Sequence, residues 1–142
     1  MSKAESPNNA RILLVDDYEM VRVFLKKGLL DLGYRRVDEA RDGAEALAKI
    51  KSAQGEKDPY MLVFCDWNMP EKTGIEVLKE CRADQNLKGL PFIMVTAESE
   101  QDKVVEALKA GASDYIVKPI APQILQKKMA KMMSKLNLGA AA

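Results

Sequence analysis

Five times along this chain a short apolar run gives way to a segment whose apolar residues recur at helical spacing. Arg11-Ile-Leu-Leu-Val15 leads into Val21, Phe24, Leu25, Leu29 and Leu32, a period closed by Gly33. Residues 35–40, a weaker strand, precede Ala44, Leu47, Ala48 and Ile50, entered through Asp42-Gly43. After the polar loop 55–59, residues 60–65 form a third strand. Ile75, Leu78 and Cys81 then mark a third helix, with Thr73 placed to cap it. Residues 91–95 lead to Val104, Val105 and Leu108, a helix stopped by Gly111. Residues 114–117 lead to Ile124, Leu125, Met129, Met132, Met133 and Leu136, where the methionines read as core filling. This alternation predicts an α/β fold, a five-stranded parallel sheet with helices on both faces. The near-continuous apolar strands agree, because such strands are buried on both sides. Arg35, Arg36, Asp38 and Glu39 mark the second strand as an exposed edge.

A length of 142 residues supports one domain with one sizeable core. The rhythm occupies residues 10–137, leaving 1–9 as a flexible N-terminal tail and 138–142 as a C-terminal one. Hydrophobic residues at 47% and charged residues at 30% describe a soluble globular protein. A net charge of +1 implies neither nucleic acid nor a membrane as partner. No apolar run is long enough to span a membrane, and the start MSKAESPNNA lacks the apolar stretch of a secretory signal. Cys65 and Cys81 form neither a CxxC nor a metal spacing and read as reduced thiols of a cytoplasmic protein. There is no histidine. That absence removes imidazole metal sites, Ser-His-Asp and Cys-His catalysis, and any role as a phosphohistidine carrier.

Acid chemistry must therefore rest on Asp and Glu, and the unusual polar residues all fall at the carboxyl ends of predicted strands. Asp16 and Asp17 end the first, Asp66 the third, Thr96 the fourth and Lys118 the fifth. Ligands of open α/β sheets bind outside those ends, where the strand order reverses. Each residue also has a plain explanation. Asp16 or Asp17 could cap the first helix, Asp66 could belong to a turn before Pro70, and Thr96 could cap the fourth helix. Lys118 could be a solvated lysine and Trp67, the chain's only tryptophan, a core or rim residue. Their joint position is harder to explain that way. Three clustered carboxylates repel, and a divalent cation with oxygen ligands relieves the conflict. Mg²⁺ suits such a set. One carboxylate could then attack phosphorus, with the metal, a lysine and a hydroxyl neutralising the transferred group.

Four stretches, ILLVDD (12–17), FCDWNMP (64–70), IMVTAE (93–98) and GASDYIVKP (111–119), closely resemble the receiver domain of two-component response regulators. Within that family the pattern is most similar to the stand-alone chemotaxis receivers of the CheY type. The resemblance runs from about Ala10 to Leu136. It implies a flavodoxin-like sheet of order 2-1-3-4-5, in which the first and third strands are neighbours. It further implies Asp66 as the phosphorylated residue, Asp17 as the direct Mg²⁺ ligand, Asp16 as the acid acting on the metal's water, and Asn68 as a carbonyl ligand. Thr96 and Lys118 would grip the phosphoryl group, Tyr115 would be the aromatic switch, and Lys118–Pro119 would be cis. The expected partners are a histidine kinase as phosphodonor, a flagellar motor switch protein or another output protein, and a phosphatase. The domain is expected to be a cytoplasmic monomer that catalyses only its own phosphoryl transfer and dephosphorylation. Three features depart from the pattern: a longer connection at 52–59, Ile120 where phenylalanine often follows Lys-Pro, and Tyr-Glu-Met-Val at 18–21.

Rival functions remain. An Mg²⁺-dependent phosphatase working through an aspartyl phosphate would need a second acidic residue where Asn68 stands. Nucleotide-binding enzymes are disfavoured by the lack of GxxxxGK[ST] and GxGxxG. Within signalling, the alternatives are a phosphorelay intermediate and a stand-alone receiver outside chemotaxis. The lysines at 127, 128, 131 and 135 of the last helix read as a solvated face, with docking to an acidic partner as the alternative.

Overall fold

The computed structural model describes residues 9–97 and 101–141, with the side chains of Gln101 and of residues 136–141 left aside. Residues 1–8 of the expected N-terminal tail, Glu98 and the Leu136 side chain therefore lie outside the described residues.

Strands β1 (Arg11–Val15), β2 (Arg36–Ala40), β3 (Leu62–Asp66), β4 (Phe92–Ala97) and β5 (Asp114–Lys118) alternate with five helices. These are α1 (Glu19–Asp31), α2 (Gly43–Gly55), α3 (Gly74–Ala83), α4 (Gln101–Ala110) and α5 (Pro122–Ala141). The sheet is wholly parallel, in the order β2-β1-β3-β4-β5. The backbone of 138–141, expected beyond the domain, continues α5.

The two-residue period of a strand splits the core into two layers. Leu13, Val15, Val63 and Cys65 point to one face, where Ala46, Leu47, Ile50, Val77, Leu78, Cys81 and Ala107 of α2, α3 and α4 cover them. Ile12, Leu14, Leu62 and Phe64 point to the other, against Leu25 and Leu29 of α1 and Leu125, Met129 and Met132 of α5. The two cysteines are free and buried, and the α5 methionines fill core space as expected.

Local chemistry explains the helix ends. The Asp42 side chain accepts from the Glu45 N–H at 2.8 Å and starts α2, while Thr73 and Glu76 form a capping box at α3. Gly33 and Gly111 stop α1 and α4 in the left-handed region, at φ 100° and 108°.

Helical period overstated the buried stripe. Phe24 on α1, Val105 and Leu108 on α4 and Ile124 on α5 are exposed, although all four fall on the apolar repeat. On α4 the small Ala107 is buried in the core, with Ala110 packed against it. The edge strand β2 ties its charges into an ion network: Arg11 Nε pairs with Asp38 Oδ2 at 3.2 Å, and Arg36 pairs with Asp58. Asp58 belongs to the long connection. Its carbonyl accepts from Arg11 Nη1 at 2.8 Å, so the added loop is anchored across the amino-terminal ends of β1 and β2. Among the described residues, no helix is long and apolar enough to cross a membrane.

Candidate functional site

Strand register brings the acids together. Val15 pairs with Cys65, so Asp16 and Asp66 each stand one residue past a matched pair on neighbouring strands. One carboxylate oxygen from each of Asp16, Asp17 and Asp66 lies within 4.8 Å of the others. Asp16 (2% exposed) and Asp66 (5%) are buried, and Asp17 is exposed. Neither Asp16 nor Asp17 caps α1, whose N-cap is Tyr18. Asp16 Oδ1 instead accepts from the Tyr18 N–H at 2.9 Å and closes the β1–α1 turn.

On the other side, β4 and β5 deliver the complementary groups. Ala97 pairs with Lys118, which ends β5 beside the acids. The Lys118 ammonium bridges two of them, Nζ standing 3.1 Å from Asp16 Oδ2 and 3.3 Å from Asp66 Oδ1. The Lys118–Pro119 bond is cis. Thr96 is 1% exposed on β4, and its Oγ1 has no hydrogen-bond partner among the described residues. A buried hydroxyl without a partner is costly unless a ligand uses it. Thr96 stays on its strand and does not cap α4.

Electrostatics matches this geometry. Burial pushes Asp66 up, the Asp16 charge adds to the effect, Lys118 opposes it, and the carboxyl settles at about 6. Burial works to lower the Lys118 ammonium, but Asp66 and Asp16 outweigh it and hold it above its ordinary value. Among the described residues the site is thus a group of three carboxylates with Lys118 bridging two of them, short of positive charge.

Asn68 is exposed on the loop after β3, its Oδ1 accepting from Lys103 Nζ on α4 at 3.3 Å. With Asp17, Asp66, Thr73, Ala97 and Lys118 it lines one open cleft. Trp67 packs into the core beneath that cleft, with Lys103 Nζ 5.6 Å from its ring centre. Tyr115 stands apart from the acid cluster. It is half-buried on β5, two positions before Val117, the register partner of Thr96, with Lys128 Nζ 5.0 Å from its ring centre.

Three supporting residues escaped sequence reasoning. Gly74 opens α3 hard against β3: a Cβ there would stand 2.1 Å from the Asp66 carbonyl oxygen. The Gly74 N–H also donates to the Trp67 carbonyl at 2.9 Å. Arg22 is a buried cation on α1. Lys128, assigned to a solvated face, pairs with the buried Asp114 at 2.9 Å, and Lys131 approaches the same carboxylate at 3.5 Å. In the sequence the neighbourhood of Gly74 shows only as Thr73, the expected cap of the third helix.

Relatives agree with the geometry. The chain is 42% identical over 127 residues to the chemotaxis protein CheY of Pseudomonas aeruginosa, covering 89% of this chain and 98% of that protein. It is 42% identical over 128 residues to CheY-3 of Vibrio cholerae, covering 90% and 95%. Among solved structures, the chemotaxis response regulator CheY4 of Vibrio cholerae superposes with a TM-score of 0.76 at 36% identity, covering 87% of this chain and 98% of that one. A CheY-like receiver domain protein from Methanospirillum hungatei gives 0.78 at 32% identity, covering 92% and 98%. The model of the response regulator receiver domain matches residues 12–130, and this chain belongs to that family.

Proposed function

We propose that the chain is a phosphorylation-controlled switch of chemotaxis signalling, charged on Asp66 by a histidine kinase in the cytoplasm. One observation supports this above all: Asp16, Asp17 and Asp66 converge at the ends of adjacent strands with Lys118 bridging two of them. An all-oxygen donor set of three carboxylates, with Asn68 lining the same cleft, fits Mg²⁺ and poorly fits metals that favour thiolate or imidazole. When bound, Mg²⁺ supplies charge neutralisation at the phosphoryl oxygens.

The chain's own groups do the rest. Asp66 Oδ attacks phosphorus, the P–N bond of the kinase phosphohistidine breaks, and the imidazole leaves with that electron pair. Lys118 Nζ, already beside Asp66, moves from carboxylate to phosphoryl oxygen. The Thr96 hydroxyl, with no partner among the described residues, gains a phosphoryl oxygen as acceptor. These contacts exist only in the phosphorylated state, so they supply the differential free energy that shifts a two-state equilibrium. Movement of Thr96 opens space for the Tyr115 ring and changes the surface of α4, β5 and α5, which an output protein such as the flagellar motor switch reads.

The test is phosphate incorporation from acetyl phosphate with Mg²⁺. Wild type forms an acid-labile adduct and Asp66→Asn forms none; full labelling of the variant would move the site elsewhere.

A further inference from the structure

Arg22 is a buried cation that the phosphoryl chemistry leaves without a task. It is 8% exposed. Its Nη1 donates to the Asp16 carbonyl oxygen at 2.7 Å, and its Nε donates to Glu39 Oε1 at 3.0 Å. Those acceptors stand at the carboxyl ends of β1 and β2. The Asp16 N–H donates to the Ala40 carbonyl at 3.1 Å. Asp16 is therefore tied to the end of β2 from both sides, by its own amide and, through Arg22, by its carbonyl. Glu39 is a firm anchor: Lys26 Nζ lies 3.6 Å from its Oε2, and Lys49 of α2 donates to its carbonyl.

The carbonyl that Arg22 grips belongs to the peptide joining Asp16 to Asp17. Asp17 is exposed, so the orientation of that peptide sets where its carboxylate stands. Three neighbouring carboxylates repel, and without a restraint Asp17 lowers the energy by swinging into solvent. We propose that Arg22 is a positioning residue for the acid cluster, holding the Asp16–Asp17 peptide so that the Asp17 carboxylate stays beside Asp66 and ready for a divalent cation. Glu39 fixes the guanidinium, and the β2 edge strand thereby acts on the metal site. The inference rests on the Mg²⁺ reading of that site.

Mg²⁺ titration, followed by calorimetry and by Trp67 fluorescence, tests it in wild type, Arg22→Met, Arg22→Lys and Glu39→Gln, alongside thermal unfolding. Arg22→Met weakens Mg²⁺ binding by about tenfold, the scale of lost outer-sphere support. Arg22→Lys recovers part of that loss, because an ammonium can reach the single carbonyl, and Glu39→Gln loses less than Arg22→Met. A folded Arg22→Met with wild-type affinity overturns the proposal, as does an affinity loss that merely follows the unfolding temperature across the three variants. Should Arg22→Met not fold, wild-type affinity in both Arg22→Lys and Glu39→Gln overturns it equally. A flat wild-type titration by both methods overturns the metal site itself, and is distinguished by appearing before any substitution is made.

Discussion

Gly74 lies against the backbone of Asp66 with no room for a side chain: a Cβ would stand 2.1 Å from the Asp66 carbonyl oxygen. The amino terminus of α3 and the end of β3 are thereby held in one closely packed unit. Gly74→Ala forces backbone apart from backbone, with no flexible side chain to yield. The expected loss is about 1–3 kcal/mol in denaturant unfolding, with slower phosphate incorporation at Asp66. A Gly74→Ala protein as stable and as readily phosphorylated as wild type would contradict this packing.

Asp66 gives a pH dependence of unusual sign. Burial, reinforced by Asp16, holds its folded pKa at about 6, above the ordinary carboxylate value. The folded state therefore binds this proton more tightly than the unfolded chain. Its contribution is fully present below the unfolded value, roughly pH 4, and is lost as pH rises to about 6. Above that pH the ionised carboxylate costs about 3 kcal/mol, at roughly 1.4 kcal/mol per pKa unit. Asp66→Asn is expected to be more stable than wild type at pH 8 in metal-free buffer, by up to that amount, with the difference vanishing near pH 4. Equal denaturation midpoints at pH 8 would refute it.

Asp114 behaves in the opposite sense. Burial raises its carboxyl, but the Lys128 hydrogen bond, the Tyr115 N–H and Lys131 outweigh burial and hold it below the usual range. Its stabilisation is present above the ordinary carboxylate value and lost as pH falls toward the lowered folded value. Lys128→Met removes the shorter of the two ion contacts and is expected to cost about 1–3 kcal/mol at pH 7. Asp114→Asn should flatten the acid limb of a stability profile; an unchanged acid limb would show that the pair is idle.

Thr96 separates stability from function. Its hydroxyl is buried with no partner among the described residues, so Thr96→Val removes an unmet polar group and keeps the shape. Stability is expected to hold or rise by on the order of 1 kcal/mol, while phosphate incorporation from acetyl phosphate slows. A marked loss of stability would mean that the hydroxyl has a partner in the resting state.

Much of this was legible in the chain. Alternating apolar runs and helical periods are enough to specify a parallel sheet, because strands buried on both faces need apolar residues at nearly every position. Glycines and capping residues marked the helix ends, since only certain residue types tolerate those backbone angles or satisfy those orphan amides. Asp16, Asp17, Asp66, Thr96 and Lys118 could be grouped by their place at strand ends, and the resemblance to receivers supplied the strand order that makes them neighbours.

What one-dimensional pattern could not carry was which surfaces meet. Phe24, Val105, Leu108 and Ile124 follow the apolar repeat yet stay exposed, because period fixes the direction of a face while neighbouring helices decide how much of it is covered. Lys128 reads as part of a solvated face and Arg22 carries no signal of its own; only packing put Arg22 against the Asp16 carbonyl and Lys128 on Asp114. Gly74 follows the expected cap of the third helix, and the fold makes it a point of backbone contact with Asp66. Local residue preferences act over three or four positions and are written in order along the chain. Contacts between α1 and the end of β2, or between α3 and the end of β3, exist only after the sheet has brought distant segments to within a few ångströms.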